Sequence, residues 1–230
     1  MSTPRPLSVI FDLDGTLVDS EPNYYETGRK LLASYGVDYT WEENTRFIGI
    51  GTRETLEILR ETYGIAKATD ELLADYNRLY LELARASTEV YPEMRQLVER
   101  LHTQGVPMAV ASGSSRAAIE AVLAGTGLDA YLGEAAGAVI VSAEEVAHGK
   151  PAPDVFLRAA ALLAAEPGYC AVFEDAAPGV TAALAAGMRC AAIPYVPGSE
   201  DDPAFGTADL LFRGGHADFT AQAAYVWLGL

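Results

Sequence analysis

The stretch SVIFDLDGTLVDSEP, residues 8–22, decides the fold. Its apolar run, Val9 to Phe11, predicts a buried β-strand. Two aspartates, Asp12 and Asp14, follow the run directly. Carboxylates that crowd together repel one another, so folding alone would not select this arrangement. The stretch therefore predicts a strand that ends in a functional site, with compensating positive charge nearby.

Further apolar runs are typical of parallel strands that are covered on both faces. With the first, these predicted strands span residues 7–12, 106–112, 138–141, 170–174 and 189–194. Helical patterns lie between most of them, over residues 92–104, 115–124 and 151–164. Strands that alternate with helices in this way predict an α/β fold, with a Rossmann-like, doubly wound parallel sheet at its core.

The alternation is interrupted between the first two predicted strands. Residues 20–88 contain no convincing strand, but helices are predicted near residues 22–35, 53–63 and 69–83. The last of these has an apolar stripe at helical spacing, from Leu72 to Leu83. An insert of this length is too large for an ordinary crossover. We therefore predict an inserted all-α helical cap domain over 20–88 and a core domain formed by 1–19 and 89–230.

The composition excludes several classes of function. The chain of 230 residues carries a formal net charge of −16 and offers no basic surface for nucleic acid or an anionic membrane. No run approaches the ~20 apolar residues that span a bilayer, and Met1–Leu7 has no signal-peptide core, so a cytoplasmic location is expected. Cys170 and Cys190 lie in apolar stretches and are expected to be buried free thiols.

Polar groups accompany most of the predicted strands. Asp12 and Asp14 follow the first strand, Ser112 and Gly113 the second, Lys150 lies in the segment HGKPAPD after the third, and Glu174 and Asp175 end the fourth. In open α/β sheets, ligands bind beyond the carboxyl ends of the strands. Four segments that are distant in sequence are thus predicted to converge on one edge, which favours a site over isolated turns.

These groups are typical of a phosphate site that contains Mg²⁺. Asp12 and Asp175, brought face to face, would destabilise each other unless a cation lay between them, and hard carboxylate oxygens suit Mg²⁺. Asp14 is suited to protonate a leaving oxygen and then to activate water. The predicted phosphate donors are the backbone N–H groups of Leu13 and Gly113, the Ser112 hydroxyl and the Lys150 ammonium.

The motifs resemble those of the haloacid dehalogenase-like hydrolases. The closest resemblance is to phosphatases with a helical, C1-type cap inserted after the first motif, a group that includes β-phosphoglucomutase-like and sugar- or nucleotide-phosphatase-like proteins. FDLDGTLVDSEP resembles the first motif, ASGS the second, HGKPAPDVF the third and VFEDAAPGVTAALAAGM the fourth. They run in the family's order from residue 8 to about residue 194.

The resemblance implies a role for each predicted site residue. Asp12 would be the nucleophile and Asp14 the general acid and base. Ser112 and Lys150 would bind the phosphoryl group, with Lys150 also restraining Asp12. Mg²⁺ would be held by the Asp12 carboxylate, the Asp14 backbone carbonyl and Asp175, with Glu174 either as a close ligand or just outside the directly bound groups. The cap would close over the core, and there we expect Tyr24 and Arg53, the latter in the loop FIGIGTRE (47–54), to contact the leaving group.

The chain departs from the family's mutases at one place. β-Phosphoglucomutases carry a histidine a few residues past the DS of the first motif, where this chain reads EPNYYE, with Tyr24 and Tyr25. A tyrosine, with an ordinary pKa near ~10, is a poor base at neutral pH. Hydrolysis is therefore favoured over a phosphomutase reaction.

We thus predict a Mg²⁺-dependent phosphatase that acts through an aspartyl-phosphate. Its expected partner is a small phosphorylated metabolite, of the sugar phosphate or nucleoside monophosphate type, and the expected state is a monomer or weak dimer. The nearest alternative is a β-phosphoglucomutase-like phosphomutase. A phospho-accepting switch similar to response-regulator receivers is the non-enzyme alternative, although receivers carry no helical insert at this place.

Overall fold

The computed structural model of the protein describes residues 7–48 and 50–230. Its strands are β1 (Ser8–Phe11), β2 (Val18–Asp19), β3 (Glu89–Val90), β4 (Met108–Ser112), β5 (Val139–Ser142), β6 (Cys170–Glu174), β7 (Arg189–Ala192) and β8 (Leu210–Leu211). Its helices are α1 (Glu21–Ala33), α2 (Trp41–Asn44), α3 (Thr52–Thr62), α4 (Thr69–Ser87), α5 (Pro92–Thr103), α6 (Arg116–Thr126), α7 (Asp129–Leu132), α8 (Asp154–Leu162), α9 (Ala177–Ala185) and α10 (Ala221–Leu228). Residues 1–6 of the predicted core and Gly49 of the predicted 47–54 loop lie outside the described residues.

Within the described residues, six parallel strands form one sheet in the order β5-β4-β1-β6-β7-β8. Strand β1 lies at the centre, where Ile10 pairs with Ala109 of β4 and with Val172 of β6. The chain moves outward from β1 first to one side and then to the other. This reversal creates a switch point at the carboxyl end of β1, and it confirms the predicted Rossmann-like α/β fold.

The sheet is covered on both faces because successive side chains of a strand point to opposite sides. Val9 and Phe11 belong to one apolar cluster, which includes side chains of α5, α6 and α10. Ile10 belongs to a second cluster, together with Phe156 of α8 and Val180 of α9. The continuous apolar run that precedes Asp12 is thus explained by burial from two sides.

Helices α1 to α4 form a helical insert, residues 20–88, between β2 and β3. No strand occurs among the described residues of this insert. Strands β2 and β3 pair antiparallel, so the chain leaves the sheet and returns to it along one short ribbon. The predicted apolar stripe of α4 is buried at Leu72, Tyr76 and Tyr80. The helices agree with the predicted cap, whose domain boundaries stay a prediction.

Two further features are helix α10 and the cysteines that were expected to be buried free thiols. A terminal helix, α10, packs on α5, and Cys170 and Cys190 are buried free thiols within β6 and β7. Across the described parts of the chain, we find no helix with both the length and the apolar character needed to cross a membrane.

Helix α4 of the insert packs closely on helix α6 of the core at Gly125. A Cβ atom built on Gly125 would lie 2.8 Å from the carbonyl oxygens of both Ala84 and Arg85. Because these atoms belong to the backbone of α4, they cannot move aside as a flexible side chain can. The two helices therefore approach each other as closely as a glycine allows.

Substitution of Gly125 tests this contact. Gly125→Ala is expected to lower the free energy of unfolding by about 1–3 kcal/mol, because overpacking forces the backbones apart. Alanine also favours the helix by about 1 kcal/mol relative to glycine, and the cost of overpacking is expected to exceed this gain. Urea denaturation measures the change. Gly168→Ala is the control, since Gly168 is exposed and has no atom within 4 Å of a built Cβ. A stabilised Gly125→Ala variant would contradict the close approach.

Candidate active site

Asp12 follows directly after β1, at the centre of the sheet, and only 6% of its surface is exposed. Its backbone N–H donates a hydrogen bond of 3.0 Å to the carbonyl oxygen of Phe173. Lys150, from the loop after β5, donates to Asp12 Oδ1 at 2.5 Å and to Glu174 Oε1 at 2.6 Å. One ammonium group thus bridges the carboxylates that end two neighbouring strands.

Asp12, Lys150, Glu174 and Asp175 form a largely buried cluster that contains one ammonium group and three carboxyl groups. Burial raises the pKa of Asp12 well above its usual range, although the Lys150 ammonium acts in the opposite direction. Burial also opposes the charge of Lys150, but the Asp12 and Glu174 carboxylates outweigh it and raise the pKa of this ammonium. Burial and the nearby Glu174 carboxylate raise the pKa of Asp175 as well. Lys150 is thus one ammonium group beside three carboxyl groups, and it cannot compensate all of them when they are ionised.

Asp175 follows β6 and contacts the loop after β1. The Thr16 hydroxyl donates to Asp175 Oδ1 at 3.0 Å. Gly15 has a φ of +80°, and a Cβ atom at this position would overlap the Asp175 carboxylate. Glycine is therefore required at this position for two reasons, the left-handed backbone and the close approach of Asp175. This turn lets Asp175 lie against the loop that carries Asp14.

Four hydroxyl groups converge on the carboxylate of Asp14. Ser112 and Ser114, at the end of β4 and just beyond it, donate to Oδ2 at 3.2 and 2.7 Å. Tyr24 of α1 and Tyr80 of α4 donate to Oδ1 at 3.3 and 3.5 Å. The core thus holds one oxygen of Asp14 and the helical insert holds the other.

Most of the side chains predicted for the site lie together at this edge of the sheet. The structure brings together Asp12, Asp14, Tyr24, Ser112, Lys150, Glu174 and Asp175, with Leu13 and Gly113 in the adjoining loops. Arg53 differs, because its described partner is Asp70 of the insert, at 2.6 Å, and 54% of its side chain is exposed. Its contact with a substrate stays a prediction.

Sequence reasoning missed some residues that contact the predicted site. Ser114 lies two residues beyond the end of β4, and a polar residue so close to a strand end was a usable signal. Thr16 lies inside the quoted first motif. Tyr80 gave no such signal, because its place in an apolar helical stripe indicates packing and says nothing about the phenolic hydroxyl.

The predicted metal site offers oxygen donors of the kind that bind a divalent cation. Among residues 7–48 and 50–230, no three or more His, Cys, Asp or Glu side chains form a ready metal cluster. The predicted set combines the Asp12, Asp175 and Glu174 side chains with the backbone carbonyl of Asp14. In the structure both oxygens of Glu174 already accept hydrogen bonds, from Lys150 and from the backbone N–H of Ala176. The groups of the set are hard oxygen donors, which Mg²⁺ prefers, and a cation would stabilise the ionised forms of carboxyl groups that outnumber the Lys150 ammonium. The residues present therefore fit Mg²⁺.

Known proteins resemble this chain over most of its length. A family model for haloacid dehalogenase-like hydrolase matches residues 8–187. Fructose-1-phosphate phosphatase YqaB of Escherichia coli (strain K12) is 38% identical over 196 residues, which cover 80% of this chain and 94% of that protein. The bifunctional riboflavin kinase/FMN phosphatase of Arabidopsis thaliana is 35% identical over 190 residues, or 82% of this chain. The chain spans only 48% of that plant protein.

A solved structure shares the fold. The crystal structure of a putative β-phosphoglucomutase from Thermotoga maritima matches with a TM-score of 0.77 at 26% sequence identity. The match covers 97% of this chain and 98% of the other. The likeness thus includes the helical insert as well as the sheet.

The buried Lys150 bridge generates a prediction about stability. Lys150→Ala is expected to lower the free energy of unfolding by about 3–5 kcal/mol, because it leaves two buried carboxylates without a cationic partner. Urea denaturation at neutral pH, without added divalent cation, measures the loss. The control is Arg53→Ala, which breaks an exposed ion pair worth less than about 1 kcal/mol. Equal losses in the two variants would contradict the compensating role of Lys150.

Glu21, the first residue of α1, generates a prediction about pH. Burial, followed by the Asp14 and Asp19 carboxylates, raises the pKa of Glu21 from 4.5 to about 7. Between these values the unfolded chain releases a proton that the folded chain retains, so the stabilising effect of the protonated carboxyl group is lost as the pH rises.

Glu21→Gln is therefore expected to gain stability relative to the unsubstituted chain as the pH rises from 4.5 to 7. Chemical denaturation at several pH values across this window measures the difference. Glu57→Gln, at an exposed site on α3, is the matched control. A constant stability difference across the window would show that Glu21 titrates alike in the folded and unfolded chain.

Proposed function

The chain belongs to the haloacid dehalogenase-like hydrolases, and we propose that it hydrolyses small phosphate monoesters through an aspartyl-phosphate on Asp12. The phosphatase class rests on the family match over residues 8–187 and on relatives named as phosphatases. The observation that carries the mechanism is the placement of Asp12 and Asp14. Asp12 is paired with Lys150, and Asp14, two residues on, is held by hydroxyl groups.

Asp12 is the nucleophile in the first step. An oxygen of its carboxylate attacks phosphorus, and the bond between phosphorus and the ester oxygen breaks. Asp14 donates a proton to that departing oxygen, so the product leaves as a neutral alcohol. The phosphoryl group is then bound covalently to Asp12, which divides one difficult displacement into two easier ones.

Asp14 acts as the base in the second step. Its carboxylate, now deprotonated, takes a proton from a water molecule whose oxygen attacks phosphorus. The bond between phosphorus and the Asp12 oxygen breaks, and inorganic phosphate is released. Asp12 returns to its starting state, and Asp14 is protonated for the next substrate.

Positive charge and hydrogen-bond donors make the attack possible. Lys150 fixes one oxygen of Asp12 and stabilises the charge on a phosphoryl group beside it. The Ser112 hydroxyl and the Gly113 N–H lie at the end of β4, where they can donate to phosphoryl oxygens. The backbone N–H of Leu13, next to the nucleophile, is a further donor.

Mg²⁺ would be held by the Asp12 carboxylate, the Asp14 backbone carbonyl and Asp175, with Glu174 nearby. When bound, it supplies charge that reduces the repulsion between a carboxylate nucleophile and an anionic phosphate. Gly15 and Thr16 position one of these groups, because they let the Asp175 carboxylate lie against the loop after β1.

The environment of Tyr24 favours hydrolysis over the mutase alternative. Burial, with the nearby Asp14 carboxylate, raises the pKa of Tyr24 well above its ordinary value. Its hydroxyl therefore stays protonated at neutral pH and cannot serve as a base. We propose a sugar phosphate or nucleoside monophosphate as the substrate, since the relative in Escherichia coli is named a fructose-1-phosphate phosphatase. The family match gives no support to a receiver-like switch.

Hydrolysis of p-nitrophenyl phosphate tests the mechanism. Activity is expected with Mg²⁺ and is expected to vanish in EDTA, because an ionised Asp12 nucleophile would then repel the anionic substrate with only Lys150 to compensate. Asp12→Asn is expected to reduce kcat by about 10³-fold or more, as loss of a nucleophile does in other enzymes that use covalent catalysis.

Asp38→Asn, an exposed carboxylate of the insert, is the matched control and is expected to keep full activity. Full activity in EDTA or in Asp12→Asn would reject the mechanism. The mutase alternative is separated with a hexose 1-phosphate and a bisphosphate primer. A mutase forms the isomeric hexose phosphate, whereas the proposed phosphatase releases inorganic phosphate.

A further inference from the structure

Two tyrosines of the helical insert reach the carboxylate of Asp14. Tyr24 lies on α1 and Tyr80 on α4, and both phenolic hydroxyls donate to the same oxygen, Oδ1. Their rings stack, with centroids 4.5 Å apart and an interplanar angle of 25°. Contacts from two separate helices to one oxygen indicate a role beyond packing.

Neighbouring contacts fix the position of this tyrosine pair. The Tyr76 hydroxyl donates to the backbone carbonyl of Tyr24 at 3.0 Å, which ties α4 to α1. The Tyr24 hydroxyl oxygen also lies 2.9 Å from Ser114 Oγ. Because each hydroxyl carries one proton, a hydrogen bond between them would replace one of the two that they donate to Asp14. Tyr80 is almost completely buried, with 3% of its surface exposed. The two hydroxyls are thus aimed at Asp14 by the surrounding structure.

We propose that Tyr24 and Tyr80 are positioning residues that direct the Asp14 carboxyl group at the ester oxygen of the substrate. This inference rests on the proposed function, in which Asp14 protonates the leaving oxygen. The tyrosines hold Oδ1, which leaves Oδ2 for the proton transfer. Ser112 donates the longer bond to Oδ2, at 3.2 Å, and in the proposed function its hydroxyl donates to the phosphoryl group instead. One direction at Oδ2 is then open to the ester oxygen.

This role has a chemical consequence that a merely structural role lacks. The value of kcat/KM reports the steps up to departure of the alcohol, which is where Asp14 acts as an acid. An alkoxide is a poor leaving group and needs the proton, whereas p-nitrophenolate departs as a stable anion. Loss of positioning must therefore slow alkyl phosphates more than p-nitrophenyl phosphate.

The experiment compares Tyr24→Phe and Tyr80→Phe with the unsubstituted enzyme in Mg²⁺. Phenylalanine keeps the stacked rings and removes only the hydroxyl group. For glycerol 1-phosphate, kcat/KM is expected to fall about 10-fold, a part of the usual contribution of acid–base catalysis. For p-nitrophenyl phosphate it is expected to change much less, and KM for both esters is expected to stay nearly constant.

The matched control is Tyr25→Phe on the same helix. The Tyr25 hydroxyl donates to the carbonyl oxygen of Tyr39 at 3.4 Å and does not contact Asp14. This variant is expected to keep the ratio of kcat/KM between the two esters. Thermal unfolding of each variant confirms that the protein assayed is folded.

A double-mutant cycle supplies a second readout. If the tyrosines act through Asp14, Tyr24→Phe and Tyr80→Phe are expected to cost nothing further in an Asp14→Asn background. Equal losses for both esters, no loss for either, or full additivity in the cycle would overturn the positioning role. Absence of phosphate release by the unsubstituted enzyme in Mg²⁺ would instead reject the proposed function, and this role with it.

Discussion

The contact between Lys150 and the carboxylates of Asp12 and Glu174 is the constraint on which the site depends. All three side chains are removed from water, and a charged group is buried only when partners compensate it. The arrangement is possible because β1 and β6 are neighbours in the sheet, so that their ends bring the two carboxylates together. The loop after β5 then supplies the ammonium. The order of the strands and the path of the loop after β5 therefore determine together how the buried charges are compensated.

The sequence predicts the sheet well because its signal is local. A short apolar run predicts a strand that is buried on both faces, and β1, β4, β5, β6 and β7 all coincide with such runs. The short strand β8 and the ribbon of β2 and β3 were not predicted. Each of these strands has only two residues, so their pairing is set by the neighbouring chain and leaves no periodic pattern to read.

The same distinction applies to the site. Asp12, Lys150 and Asp175 were predicted because polar residues beside buried strands have few structural uses, and the topology of a parallel sheet places them together. Tyr80 could not be found in this way. Its ring satisfies the apolar stripe of α4, and only the three-dimensional structure shows that its hydroxyl faces Asp14. A tyrosine has an apolar ring and a polar hydroxyl. The sequence pattern reports only the packing of the ring, whereas the structure also shows the hydrogen bond of the hydroxyl.

The ribbon of β2 and β3 has a consequence for how such proteins diversify. Because the chain departs and returns at adjacent positions, the segment between them can be lengthened, shortened or exchanged without moving any strand of the sheet. Loop-closure entropy changes only slowly with the length of an inserted segment, so evolution can vary the insert at little thermodynamic cost. Selectivity and chemistry can then be inherited separately, with the contacts of Tyr24 and Tyr80 to Asp14 linking the insert to the chemistry.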